Sequence, residues 1–421
     1  MTSRERDTDV IVVGAGLTGL AAALELSRRG IGVTVLERGD AVGGRVRTDV
    51  VDGFLIDRGF QLINPIYPAL REYADLRALD LHAFGSGAQV LTGGSLETLA
   101  HPARHPLQLA NTLGSGLLTP RDLRALIGSV AGGPGSVPRG EVPRGTVTLG
   151  EELDERGAGG ALRQQILEPF LTGVVASDPN DVDAEVGRFL LTTFAFGRPS
   201  VPARGAQALP EQLAASARLA GAEICLDTAC EAITSTGSGA TVRTTGGGTL
   251  RAGAVIVATS PSDQGEPMYG LATYWFRADE APSTTPFIRI DGTHSGPVLH
   301  TAVMTNSAPS YSPDGSALIE ASTLLDASGN HPSPDLAAVT GHLSALWRTD
   351  AARWDVVAVS EVANSLPVQS PASRRTMRRD GAVLRTGDHV GGGSQHGAMA
   401  AGRAAATAAL EVIGAAEHRE S

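Results

Sequence analysis

Lysine is absent from this chain: all 34 basic residues among its 421 are arginine, so every mechanism that requires a lysine amine is excluded. Cysteine is almost absent. Cys225 and Cys230 are the only two and form no CxxC, which leaves neither a disulfide framework nor a cysteine zinc site. A reducing cytoplasm suits such a chain. Aromatic residues make up only 4%, and none follows Trp354. No run of about 18 apolar residues is present, which argues against a spanning helix. The opening MTSRERDTDV is charged and the apolar run after it is broken by Gly14, Gly16 and Gly19, unlike a secretory h-region. A soluble protein is expected, with at most peripheral membrane contact. Basic residues number 34 against 45 acidic ones, for a net charge of −11, and the arginines are scattered rather than blocked. That pattern does not track a phosphate backbone, so no nucleic-acid partner is expected.

What is abundant is glycine, at 52 residues, so only spacing carries information. The length suggests two or three domains at roughly 150 residues each. Val10 to Val13 is an apolar run followed by GAGLTG, a periodic stretch from Leu17 to Arg29, Gly30, and a second apolar run from Val33 to Leu36. This order predicts strand, tight turn, helix and strand. From about Pro65 to Phe196 the pattern becomes helical, with Pro- and Gly-rich loops, and reads as an inserted cap. Strands are predicted at Ile224–Ile233, Thr241–Thr244 and Val255–Thr259. A second excursion contains strand-like runs at Phe287–Ile290, Val298–Met304, Ala317–Ser322 and Val356–Val362, consistent with a separate, partly antiparallel sheet. A last strand at Val383–Thr386 precedes GDHVGGGSQHG and an Ala-rich helix.

In Gly14-x-Gly16-x-x-Gly19 the first glycine permits the turn, the second lets backbone approach a pyrophosphate across Ala15, and the third lets helix pack on strand. Glu37 follows 18 residues after Gly19, at the end of the second strand, where a carboxylate accepts ribose hydroxyls and disfavours a 2′-phosphate. Arg38 adjoins it. Gly43-Gly44-Arg45 offers a second close backbone approach with a charge complementary to phosphate, and Gly59-Phe60-Gln61 closes the segment GFLIDRGFQ. The third piece is Gly387-Asp388 with Gly397 and Ala398 opening the last helix. Asp388 is placed for ribityl hydroxyls, and the helix amides for the N1 and C2=O edge of a flavin. A nicotinamide dinucleotide needs no such distant piece; FAD does.

VIVVGAGLTGLAAALELSRRGIGVTVLERGDAVGGRVRT, GFLIDRGFQ and GDHVGGGSQHGAMAAGR together resemble the FAD-dependent superfamily of flavin amine oxidases, protoporphyrinogen oxidases and phytoene desaturase-like enzymes. ILEPFLTG and ARGAQALPEQLA are weaker likenesses. The resemblance covers about a third of the chain. It implies an α/β fold: a Rossmann-type FAD-binding domain from 1–65, 200–265 and 370–421, with a discontinuous substrate domain of mixed or antiparallel sheet and helical cap from 66–199 and 266–369. It also implies hydride transfer from a C–H bond to flavin N5. In relatives a valine at the strand holding Cys230 and Ile233 contacts adenine; Thr259 ends the neighbouring strand.

Two departures rank the members. Amine oxidases of this kind place a lysine near N5 and an aromatic residue in the C-terminal motif, and this chain has neither. No cysteine sits in that motif, so FAD is expected to be noncovalent. The expected reaction is therefore dehydrogenation of an apolar, isoprenoid- or carotenoid-like substrate. Amine oxidation, porphyrinogen oxidation and redox-neutral isomerisation remain alternatives, as does a flavin-binding protein without turnover, and the electron acceptor is open. No catalytic residue is assigned. His101 and His105 have a metal-like spacing, but Pro102 and Pro106 break the helix that would align them, so no metal is expected. Tyr274-Trp275-Phe276 could line a substrate pocket or fill a strand core. Arg374, Arg375, Arg378 and Arg379 read as a solvated turn.

Overall fold

A computed structural model describes residues 7–101, 104, 105, 114, 116–236, 239–325, 333–373 and 376–420, with side chains described as far as 415. Five parallel strands run side by side in the order Glu223–Cys225, Val33–Leu36, Thr8–Val13, Thr249–Val257 and Val383–Arg385. Val10 to Val13 are buried, as a parallel strand covered on both faces requires, which is why the run reads as continuously apolar. One cover is the helix Leu17–Ser27, and against it lies the helix Gln395–Glu420. A Cβ on Gly402 would stand 2.2 Å from the Thr18 carbonyl oxygen, so this glycine lets the two helices touch.

The stretch 224–233 is not one strand. It breaks after Cys225 and resumes as Cys230–Thr236 in an antiparallel pair with Gly239–Thr244. Asp227 turns the chain with φ at 51°, a conformation Asp tolerates better than most residues. Its amide and that of Thr228 donate to the Gly39 and Glu37 carbonyls, carrying the chain across the end of the second strand.

The second sheet has seven strands in the order Asp355–Pro367, Met268–Ala278, Ala317–Leu325, Val298–Val303, Ile288–Asp291, Gly87–Thr92 and Ser95–Ala100. Every pairing is antiparallel except that of Ile288–Asp291 with Gly87–Thr92. The hairpin 87–100 lies inside the stretch read as helical. Its turn is Gly93-Gly94, both at positive φ, and its strands are half-exposed, so apolar alternation is faint there. Tyr274, Trp275 and Phe276 are buried between layers and fill the core of this sheet. Helices Pro120–Ser129, Leu149–Glu155, Glu168–Val175 and Ala184–Phe196 form the cap. Thr119 and Thr148 start the first two with reciprocal capping boxes. Among the described residues no helix is long and apolar enough to cross a membrane.

One buried carboxylate ties the two sheets' surroundings together. Asp57 Oδ1 accepts the Thr48 hydroxyl at 2.5 Å and the Ala206 amide at 2.9 Å, while Oδ2 accepts the Tyr311 hydroxyl at 2.9 Å. Burial pushes its carboxyl up to about 6 despite these three donors. A carboxyl raised on folding contributes stability below its unfolded value that is lost as pH rises through the folded one. The wild type is therefore expected to lose stability on the order of 3 kcal/mol from this group between about pH 4 and 6. Asp57→Asn should flatten that part of the profile in denaturant melts at successive pH; an unchanged slope would refute the assignment.

Candidate active site

The carboxyl ends of the parallel strands open into a cavity of about 1080 Å3 that continues under the second sheet and the cap. Its near end is shaped by backbone contact. Gly14 has φ at 103°, and a Cβ there would lie 2.8 Å from the Ala258 carbonyl oxygen. A Cβ on Gly19 would lie 1.9 Å from the Gly14 oxygen, so Gly19 sits behind the turn and does not line the cavity. Gly16 is different: its Cβ would meet no protein atom nearer than the Gly43 oxygen at 4.0 Å. It faces open cavity, where a ligand must approach backbone. Gly43 bonds from its amide to the Ala15 carbonyl at 2.9 Å and Gly44 takes φ at 61°, bringing the second glycine pair beside the first.

Glu37 holds the two loops in place. Its Oε2 accepts the Ala15 amide and its Oε1 the Gly39 amide, each at 2.8 Å. Ala15 is thus buried behind the wall, while Glu37 and the exposed Arg38, which lies 3.7 Å from Asp263, line it. Cys230, Ile233 and Thr259 line the same end. Further in come Arg45, Gly59, Phe60, Gln61, Gly387, Asp388 and Ala398. Arg45 was expected to answer phosphate and Asp388 ribityl hydroxyls. The structure joins the two side chains at the cavity wall, with Arg45 Nη2 at 2.6 Å from Asp388 Oδ1 and Nη1 donating to the Ser365 carbonyl at 2.6 Å. Gln61 donates to the Arg45 and Arg58 carbonyls, fixing that corner.

Gly397 does not reach the cavity. A Cβ there would lie 2.4 Å from the Gly391 oxygen, so it serves the close packing of the short turn 388–391 on the last helix. Gly392 and Gly393, both at positive φ, make the turn that exposes Ser394, Gln395 and Ala398 instead. His396 points away into the cap, packed beside the stacked Tyr67 and Phe189 rings, and is bonded to the Gly140 carbonyl. His105 packs edge-on against Phe287, with Pro102 and Pro106 outside the described residues, as are Arg374 and Arg375. Arg378 pairs with Glu266 at 3.3 Å and Arg379 bonds to the Gly381 carbonyl.

The far end is walled by Leu62, Phe170, Val174, Leu190, Phe194 and Ile288. Gly173, in the segment ILEPFLTG, gives its space to a histidine the sequence did not single out: a Cβ there would lie 2.5 Å from His300 Nδ1. The His300 ring lies 5.0 Å from that of Phe60, and burial pushes it down to about 4, so it is neutral at physiological pH. Behind it, 3.8 Å from Nε2, stands Glu320, fully buried and pushed well above the carboxylate range by burial. The Ser322 hydroxyl, on the cavity wall, donates to Glu320. Burial disfavours the charged form of both groups. No spacing signal marks them, because strand pairing alone brings positions 300 and 320 together.

FAD fits these residues. Arg47, Gln369 and Gln395 all line the cavity and each carries a buried polar atom without a protein partner, as groups that a polar ligand completes would. The open space at Gly16 and the paired glycines at 43 and 44 suit a pyrophosphate. Gly16→Val is expected to leave the melting temperature of flavin-free protein within about a degree or two while abolishing FAD retention, since the added atoms meet only ligand space. Gly19→Val should fail to fold. Full flavin occupancy in a purified Gly16→Val variant would sink this placement.

A family model described as flavin containing amine oxidoreductase matches residues 17–410. AofH of Mycobacterium tuberculosis, named as a flavin-containing monoamine oxidase, is 32% identical over 313 residues, which are 69% of this chain and 68% of that protein. The chloroplastic protoporphyrinogen oxidase of Nicotiana tabacum is 29% identical over 177 residues, 41% of this chain but only 30% of that enzyme. Among solved structures, an oxidoreductase from Methanosarcina mazei superposes with a TM-score of 0.73 at 16% identity, over 95% of this chain and all of that one. A putrescine oxidase bound to putrescine gives 0.66 at 19% identity, over 96% and 99%. These two likenesses speak to the fold. The family match, running through nearly the whole chain, shows that it belongs to the flavin-containing amine oxidoreductases, FAD-dependent enzymes of mixed α/β fold.

Proposed function

We propose that this enzyme oxidises an electrically neutral, largely apolar small molecule. The observation that carries the reading is the far end of the cavity, where Phe170, Phe194, Leu190 and Val174 wall the space, His300 is the polar ring among them, and burial disfavours the charged form both of His300 and of Glu320 behind it. An ammonium ion brought there would find no counter-charge on that wall, and desolvating it would go uncompensated. An apolar skeleton gains about 25 cal/mol per Å2 buried. FAD supplies the hydride acceptor, and the protein supplies orientation and a dry wall. An isoprenoid-type substrate is the candidate we favour within this class.

Amine oxidation is the second reading. It is favoured by the likeness to AofH and by Glu361, an exposed residue of the last strand of the second sheet that lines the cavity and brings a carboxylate to it. The two readings separate in anaerobic stopped-flow mixing. Common primary and secondary amines are expected to leave the oxidised flavin spectrum unchanged, whereas an isoprenoid substrate bleaches it. Rapid bleaching by a simple amine would reverse the ranking.

FAD binds noncovalently in this proposal. Cys225 and Cys230 stand at the adenine end, and burial raises both thiols, disfavouring the thiolate that flavin attachment needs. Acid precipitation should release all the flavin as free FAD; colour left in the washed pellet would contradict this.

A further inference from the structure

Gln369 follows the strand Asp355–Pro367 and enters the cavity beside the turn that opens the last helix. Its main chain is anchored, since its carbonyl accepts the Asp183 amide at 2.8 Å. Its side chain is only 6% exposed, yet both Nε2 and Oε1 lack a hydrogen-bond partner. The amide lies flat on Gly393, where a Cβ would come within 3.1 Å of Nε2 and 3.2 Å of Cδ. Gly393 takes φ at 70°, and with no side chain of its own it lets the Gln369 amide pack against the turn. Gln395, two residues on, also lines the cavity with an unpartnered Oε1.

A buried amide with neither face satisfied carries the full desolvation penalty of a donor and an acceptor together. The ligand group that removes both at once presents a carbonyl and an N–H side by side. In FAD two edges pair an N–H with an acceptor: adenine, at N6–H with N1 or N7, and the flavin pyrimidine ring, where N3–H stands between the C2 and C4 carbonyls. Glu37 and Cys230 mark the adenine end of the cavity, away from the Gly392-Gly393 turn, which leaves the pyrimidine ring for Gln369. The ribose, phosphate and dimethylbenzene portions have none. We propose that Gln369 is the positioning residue for the flavin ring: Oε1 accepts N3–H while Nε2 donates to an adjacent ring carbonyl. The inference rests on FAD occupying this cavity and adds to it which end of the ring meets the Gly392-Gly393 turn. No bond is made or broken by Gln369. It sets the ring's rotation in its own plane, and so which ring edge faces His300 and the apolar wall.

The test compares FAD with 3-methyl-FAD, in which N3 carries a methyl group and no proton, binding each to flavin-free wild-type protein by fluorescence titration. Wild type should bind 3-methyl-FAD at least about tenfold more weakly than FAD, from the lost acceptor contact and the crowding by the methyl group. Gln369→Ala should bind FAD about tenfold more weakly than wild type and lose the discrimination, since the cleared space accepts the methyl. Gln369→Met, similar in length and without hydrogen bonds, should also lose most of the preference that depends on the proton; circular dichroism of the flavin-free variants checks that they are folded. Equal affinity of wild type for the two flavins overturns the proposal, and so does a preference that survives in the alanine variant. Wild-type protein that binds neither flavin overturns the cofactor's placement in the cavity instead, which keeps the two failures apart.

Discussion

Backbone resting directly on backbone is the constraint from which the rest of this molecule follows. Three strand ends, at Val13, Leu36 and Val257, meet within one patch, and their loops approach so closely that Gly14 and Gly19 admit no side chain at all. The Glu37 carboxylate then bonds two amides of those loops, Ala15 and Gly39, and so maintains the spacing that glycine permits. A side chain in this patch would part the loops and with them the ends of the strands. The open face at Gly16 is what remains once every other face is packed.

Polar groups in the second sheet obey a different rule. His300, Glu320, Ser322 and Thr301 sit among Trp275, Ile288 and Ala302, and burial disfavours the charged form of the two titratable members. Neutral polar groups in an apolar wall cost less than charged ones and still discriminate among substrates by hydrogen bonding. Asp57 shows the intermediate case, a carboxylate kept inside by three donors that come from separate parts of the chain.

The cofactor half was legible in the sequence because its demands are local and steric: glycine at 14, 16, 19, 43 and 44, an acid at 37, and runs apolar on both faces. The substrate half was not. His300 and Glu320 meet through antiparallel pairing of strands separated by the turn at Pro309–Tyr311, and nothing in their own neighbourhood marks either one. Gln369 carries no motif, and its role depends on the turn at Gly393 with which it packs. Gly397 belongs to a recognisable segment, and what the structure shows it accommodating is Gly391. The hairpin at 87–100 was hidden by half-exposed strands that show little alternation.

The pairing of Arg45 with Asp388 spans 343 positions of sequence. Synthesis at roughly 5–20 residues per second separates the two by tens of seconds, during which the glycine cradle exists without the residues that close it. The corner that joins Arg45 to Asp388 is therefore the last part of the cradle to be made.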